Sequence, residues 1–366
     1  MILSLYFIRR FLWNLLRVQI ALLFLILLID TVEIARVFPE LDGAFLPAFQ
    51  LALLRAPAIV IQIIPLVFLL AAMATFLGFA RSSELIIGRA AGMSALRLIT
   101  PVLLTTLALG LVLTMIFNPI VSATMRRAEV LSDQYRFGTP NLFSLSGQSI
   151  WLRQGSTDTQ YVIQANRANL DGTRLFGVRF FQFNAKGRVL SRIEAGRAEL
   201  QNGYWLLSDT KRWRFLEELD DGANDISEQI QLRLPTTLTS NEILESFSEP
   251  RAVSIWDMPA FISRLESSGF SARRHRVFFQ SELARPLLLM AMVLIGIGFS
   301  MRHSRFGQTG VMVLAAVMSG FIVYAMKSLS ESMGSAQEIP ILAAAWGPAL
   351  ASFLLALSLL LHLEDG

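Results

Sequence analysis

The sequence predicts an α-helical membrane protein with six transmembrane helices, three on either side of an inserted all-β domain. Composition is the first observation: of 366 residues, 54% are hydrophobic and only 16% charged, with mean hydropathy +0.52. Soluble domains carry about a quarter charged residues. Spacing is the second. Six apolar runs, at roughly 11–35, 56–80, 98–122, 281–301, 308–330 and 340–362, reach the ~20 residues that cross a bilayer as helix. The third is the region between the third and fourth runs, about 126–275, where apolar residues alternate with polar ones instead. Domain bounds follow at 1–125, 126–275 and 276–366.

Arg9 and Arg10 ahead of an apolar run look like the start of a signal peptide. The run continues to about Ile29, however, and Asp30-Thr31-Val32-Glu33 offers no small-residue cleavage site, so it is read as span one. Pro57, Pro65, Pro101, Pro119, Pro286 and Pro348 fall within the spans, which packed membrane helices tolerate. Between spans two and three lies a polar island, Arg81 to Arg97, too charged for a bilayer core. Ser82 or Ser83 can cap a short helix there, and Glu84 suits the positive end of its dipole. Leu85, Ile86, Ala90 and Ala91 supply an apolar stripe, and Gly92 is a stop signal. The island reads as an amphipathic helix of about 82–92 at a membrane face, with an ordinary basic loop as the alternative.

In the insert, Phe176, Val178 and Phe180 alternate with Gly177 and Arg179 as in a half-buried strand. Asn184-Ala185-Lys186-Gly187 and Asn202-Gly203 are hairpin turn signals, and Asp220-Asp221-Gly222 marks another turn. Trp213 and Phe215, then Ile230, Leu232 and Leu234, give further alternating strands; a helical return follows from about Ser254 to Ser268. Such short strands suit a sandwich, a jelly roll or an open groove.

Orientation follows from arginine. Arg9, Arg10 and Arg17, the arginines of the 81–97 loop, and Arg302 and Arg305 share one side by parity, against the lone carboxylate Glu84. That side is cytoplasmic by the positive-inside rule, which places the insert outside.

Several chemistries are excluded. Without cysteine there is no disulfide or thiolate site, and three scattered histidines make a poor metal site. None of the three lysines follows a glycine, so there is no phosphate-binding P-loop, and a basic balance of +4 in such a chain points to headgroups, not nucleic acid. The informative charges lie near the membrane. Asp30, Glu33 and Arg36 occupy the outer third of span one, Arg126 and Arg127 close span three, Arg273, Arg274, Arg276 and Arg285 cluster before and within the start of span four, and Lys327 is the one lysine in any span. Together they form a collar at outer-leaflet level suited to an anionic amphiphile; each alone also suits snorkelling to headgroups.

One set of features is more specific. It comprises Ile64-Pro65-Leu66, the run Arg81-Ser82-Ser83-Glu84-Leu85 to Ala91-Gly92-Met93, Asn118-Pro119, the β-insert and Ser267-Ser268-Gly269. Pro286 and Ile339-Pro340 with Trp346-Gly347-Pro348-Ala349 complete it. With these the chain resembles the permease subunits of the lipopolysaccharide exporter, the LptF/LptG family, over nearly its whole length, and its ending is similar to the LptG type. The resemblance implies a bacterial inner-membrane permease without an ATPase of its own and with no cofactor in this chain. ATP and Mg would sit on a partner LptB-type dimer. It further implies an LptF-type sister subunit, LptC-type and LptA-type bridge partners, and a periplasmic jelly-roll insert. Glu84, with Ser83, Leu85 and Arg89, would then form the ATPase-coupling contact. The first and fifth spans, with Val32 and Met326, would frame the lateral gate for lipopolysaccharide. The lysines that the family often carries on outer span one are replaced here by Asp30, Glu33 and Arg36. The basic residue before the span-four proline is likewise replaced around Ser281-Glu282, while Arg126 falls at a matching basic position. An ion-coupled secondary transporter and a membrane anchor for an envelope complex are the alternatives; charge gathered at the outer end, away from the midplane, weighs against the former.

Overall fold

Among the described residues, six helices in the computed structural model are long and apolar enough to cross a membrane. The structure describes residues 2–37, 45–82, 84, 87, 90, 94–137, 150–155, 159–168, 173–184, 188–201, 203–215, 225–236, 250–267, 271–301 and 309–365. In chain order the helices are α1 (Ile2–Val37), α2 (Phe45–Arg81), α3 (Ala95–Val112), α4 (Asn118–Phe137), α5 (Met258–Ser267), α6 (Arg273–Met301), α7 (Thr309–Ser335) and α8 (Ile341–Asp365). A π-helical turn, Leu113–Phe117, joins α3 to α4 so that the two cross as one span. All six apolar runs are helical, as expected. α1 and α2 begin earlier than expected, at Ile2 and Phe45, because Arg9, Arg10 and Arg55 interrupt the apolar runs but not the helices, arginine being a good helix former.

The chain divides into two compact units. One comprises Met1–Ala128, Pro250–Pro259 and Ala272–Gly366; the other comprises Glu129–Glu249 and Ala260–Ser271. In the helical unit α6 is the hub, packed against α2, α3, α7 and α8. Within its apolar window 72% of residues are buried, against 6% for α1, so α1 leaves most of its surface uncovered. The core pairs Phe7, Phe11, Phe68, Phe76 and Phe79 of α1 and α2 with Leu289, Met292, Val293 and Ile297 of α6. Phe7 and Phe79 meet edge to face with centroids 4.3 Å apart, a favoured aromatic geometry. Close approach of α2 and α6 depends on Gly296, where an added Cβ would lie 2.6 Å from the Leu69 carbonyl oxygen.

Two prolines shape the spans. Pro119 has no N–H to offer Met115, four residues earlier, and its ring crowds that carbonyl. The chain accommodates it with the π-turn, and the freed Met115 carbonyl accepts the Trp256 indole N–H at 2.9 Å. Pro286 frees the Glu282 carbonyl in the same way, and the Thr114 hydroxyl donates to it at 3.2 Å. Side chains thus restore what each proline removes.

The other unit holds an antiparallel sheet of six strands: β1 (Ile150–Gly155), β2 (Thr159–Ala168), β3 (Arg174–Asn184), β4 (Val189–Gln201), β5 (Tyr204–Arg214) and β6 (Asp225–Pro235). They pair in chain order, β1-β2-β3-β4-β5-β6. Register builds one buried face: Ile163 pairs with Phe180 and Phe180 with Ile193, while Leu200 pairs with Trp205 and Trp205 with Leu234. The opposite face carries cross-strand ion pairs such as Arg179–Glu194. Gly203 turns β4 into β5 at φ 83°, a conformation that favours glycine. Asn184 closes the β3–β4 hairpin, its side-chain oxygen accepting from the Arg188 N–H at 2.9 Å. Residues 185–187, 202 and the Asp220-Asp221-Gly222 turn lie outside the described residues. Ile230 departs from its expected inward face, being 84% exposed on the edge strand β6.

Trp205 is fully buried and donates its indole N–H to Gln154 at 3.2 Å. Trp205→Ala is expected to cost about 3–5 kcal/mol through the cavity it leaves. Limited proteolysis of the full chain checks this: cleavage within 150–236 should accelerate, and much less so for Trp205→Phe.

Candidate functional site

Two polar sites interrupt the apolar helical unit. The first lies among α2, the α3–α4 span, α6 and α7, around a cavity of about 130 Å³ whose polar lining includes Gln62, Asn118, Arg251, Glu282, Arg285 and Lys327. Glu282 and Arg285 face each other one turn apart on α6, with side chains only 4% and 12% exposed, and the guanidinium donates to the carboxylate. Asn118 Nδ2 donates to the second Glu282 oxygen at 3.2 Å, while its own Oδ1 accepts from the Ile255 N–H at 2.8 Å. One face of the cavity is therefore a fixed network centred on a buried ion pair, and among the described residues the buried Arg285 Nη1 has no hydrogen-bond partner. Across the cavity Lys327 holds Glu331 at 2.7 Å, and Gln62 donates to Tyr324 Oη at 2.9 Å while accepting from Arg251 at 3.3 Å. Three cations and two carboxylates line the space, an excess of one positive charge available to an anionic oxygen.

Of the expected collar, Lys327 and Arg285 line this cavity. Arg126 donates to the Ala252 carbonyl at 2.6 Å, which commits its guanidinium to the segment before α5. Arg127 is exposed on α4, and Arg36 and Glu33 are exposed at the end of α1. Asp30 pairs with Arg55 of α2 at 3.6 Å. The gate positions Val32 and Met326 are 62% and 43% exposed on α1 and α7. Arg273 is an end-capping residue: it donates to the carbonyls of Gly334 and Ile339, each at 2.6 Å, and so satisfies the carboxyl end of α7.

The second site is at the opposite end of α1 and α2. Arg10 donates to Glu84 Oε1 at 3.0 Å and to Tyr6 Oη at 2.9 Å, and stacks its guanidinium 4.7 Å from the Phe79 centroid. Ser82 Oγ lies 2.7 Å from the same carboxylate oxygen and 3.0 Å from the Gly78 carbonyl, so its one proton serves either the acid or the end of α2. Glu84 is thus held by α1. Ser83, Leu85 and Arg89 lie outside the described residues, as does Gly92.

Sequence reasoning placed Arg285 in the collar but missed its pairing with Glu282 and the part of Asn118 in that network. A signal was present in the spacing, since an acid and a base three residues apart inside an apolar run are seldom both exposed to lipid. It also missed Arg10 as the partner of Glu84.

The comparisons agree with this architecture. Residues 5–362 match the family described as "Lipopolysaccharide export system permease LptF/LptG". The chain is 26% identical to the lipopolysaccharide export system permease protein LptG of Escherichia coli K12, over 87% of this chain and 86% of that one. It is 23% identical to LptG of Haemophilus influenzae, over 78% of this chain and 77% of that one. The match runs from span one to span six and includes the β-insert, so the chain belongs to the LptF/LptG family of lipopolysaccharide export permeases.

Proposed function

We propose that this chain is the LptG-type permease subunit of an ATP-driven exporter in the bacterial inner membrane. It takes lipopolysaccharide from the outer leaflet and passes it to a periplasmic bridge of β-domains. The family match over residues 5–362 carries the reading. In this reading an LptF-type sister completes the lipid path, an LptB-type dimer with ATP and Mg supplies energy, and LptC-type and LptA-type proteins continue the β-insert as the bridge. Arg36, Arg126, Arg127 and Lys327, with Asp30 and Glu33, sit at headgroup level, and Val32 and Met326 flank the entry for acyl chains.

Glu84, with Ser83, Leu85 and Arg89, docks the ATPase in this reading. Support comes from its position beyond the end of α2, where it is 30% exposed and its strongest tie, Arg10, is 35% exposed. Such an exposed pair contributes at most about 1 kcal/mol and is readily exchanged for a partner's cation. Glu84→Ala is expected to weaken co-purification of the ATPase by about tenfold or more, the loss of one charge-assisted contact, while the permease still inserts. The whole reading is tested by ATP-dependent release of lipopolysaccharide from proteoliposomes holding the chain, its sister and the ATPase. Release that proceeds without ATP, or no release at all, overturns it.

A further inference from the structure

A third polar feature faces outward. An open groove of about 350 Å³ is lined by Arg10, Trp13, Asn14 and Arg17 of α1 and by Ala74 of α2. The first four recur at the spacing of one helix face. Asn14 is fixed by its donation to Thr75 Oγ1 at 2.9 Å, and Trp13 is 53% exposed.

Depth decides what the groove is for. The Arg10–Glu84 and Asp30–Arg55 pairs both tie α1 to its neighbours. The twenty residues from Arg10 to Asp30 span about 30 Å of helix, the thickness of the hydrocarbon layer. Arg17 therefore lies about 10 Å inside the Arg10 boundary. It is exposed, and among the described residues it has no hydrogen bond or ion pair. A helical side chain leans toward its own amino terminus, so the Arg17 guanidinium reaches back toward Asn14 and Arg10. The groove lining then holds two guanidiniums, and the carboxylate that Arg10 already bonds, Glu84, lies outside that lining. An indole beside two such cations at an interface suits a group that is anionic at one end and apolar at the other.

We propose that this groove binds the phosphate headgroup of an anionic phospholipid from the leaflet at the Arg10 end of the spans. Arg17 and the outer N–H groups of Arg10 hold the phosphate, and the acyl chains lie along the uncovered face of α1. Because Arg10 is shared, an occupying phosphate competes with Glu84 for its guanidinium and loosens that carboxylate. The last step rests on the coupling role proposed above for Glu84, whereas the binding itself does not.

The test uses the purified full chain in phosphatidylcholine nanodiscs. Brominated phosphatidylglycerol or brominated phosphatidylcholine is titrated in, and the quenching that disappears in Trp13→Phe is assigned to Trp13. Preferential quenching by phosphatidylglycerol, reduced about fivefold in Arg17→Gln as expected for one lost headgroup cation and retained in Arg17→Lys, supports the site. Equal quenching by both lipids, or a preference that Arg17→Gln leaves intact, overturns it. If millimolar inorganic phosphate abolishes the preference, the groove is a soluble-phosphate site and the lipid assignment falls. In the assembled exporter, phosphatidylglycerol should raise ATPase activity of the parent and not of Arg17→Gln. Binding without that response would refute the link to Glu84 and leave the lipid site standing.

Discussion

Glu282→Ala should destabilise the helical unit by about 3–5 kcal/mol, the cost of stranding a buried charge. The carboxylate is 4% exposed and is bonded to both Arg285 and Asn118. Removing it leaves an arginine without its counter-ion at membrane depth and frees an Asn118 N–H. Asn118 also holds the Ile255 backbone, so loosening spreads from α6 to the segment before α5. Thermal unfolding of the purified chain is the measurement. The double variant Glu282→Leu with Arg285→Leu separates an ionic from a steric cause: replacing both members of a buried pair with apolar groups is often close to neutral, so it should recover most of the loss. A double variant as unstable as Glu282→Ala alone would show that the position is needed for shape and not for charge pairing.

Gly296→Val should be comparably severe, for a reason that involves no charge. Even the first carbon added at this position meets the Leu69 carbonyl oxygen at 2.6 Å and the Ala72 Cβ at 3.2 Å. Both contacts belong to α2, and a helix backbone cannot rotate away as a side chain can. α2 and α6 must separate, at a cost of about 1–3 kcal/mol or more for overpacking, and the core along their line of contact opens with them. Gly310→Ala is the matched control, since its added carbon meets nothing within 4 Å. At the start of α7 it should leave stability unchanged or raise it by up to about 0.5–1 kcal/mol through helix propensity. Equal melting temperatures for the two variants would mean that the contact at Leu69 relaxes freely.

The contrast between these positions shows what was legible in the sequence. Six spans were, because a bilayer imposes length and hydropathy on each helix separately. The strands through Val178 and Phe180 and through Leu232 and Leu234 were, because a sheet with one buried face writes its pattern at period two. Ile230 misled because period two identifies a strand but not how far along an edge strand the core reaches: Leu234 of β6 is buried and Ile230 is not. The Glu282 network was not legible: Asn118 and Glu282 are 164 residues apart, and only the packing of α6 against the π-turn brings them together. Lys327 was marked out by its rarity, yet its neighbour Glu331 lay one turn away in plain view. The short island around Glu84 was legible as an end of the apolar run, but the identity of its partner, Arg10, depends on how α1 packs on α2.

The strand order has a consequence for how the protein is made. Each strand of the sheet pairs only with its neighbours in the chain, so loop closure between partners is short and contact order is low, which favours rapid folding. Translation proceeds at about 5–20 residues per second, so β6 is complete several seconds before the last of α6, α7 and α8. The helical unit is in the opposite position. Its hub, α6, is among the last parts synthesised, and the carbonyl of Met115 and the amide of Asn118 have no distant partner until Ile255, Trp256 and Glu282 arrive. The structure thus implies an assembly order in which the sheet closes during synthesis while the first three spans wait in the bilayer for the fourth.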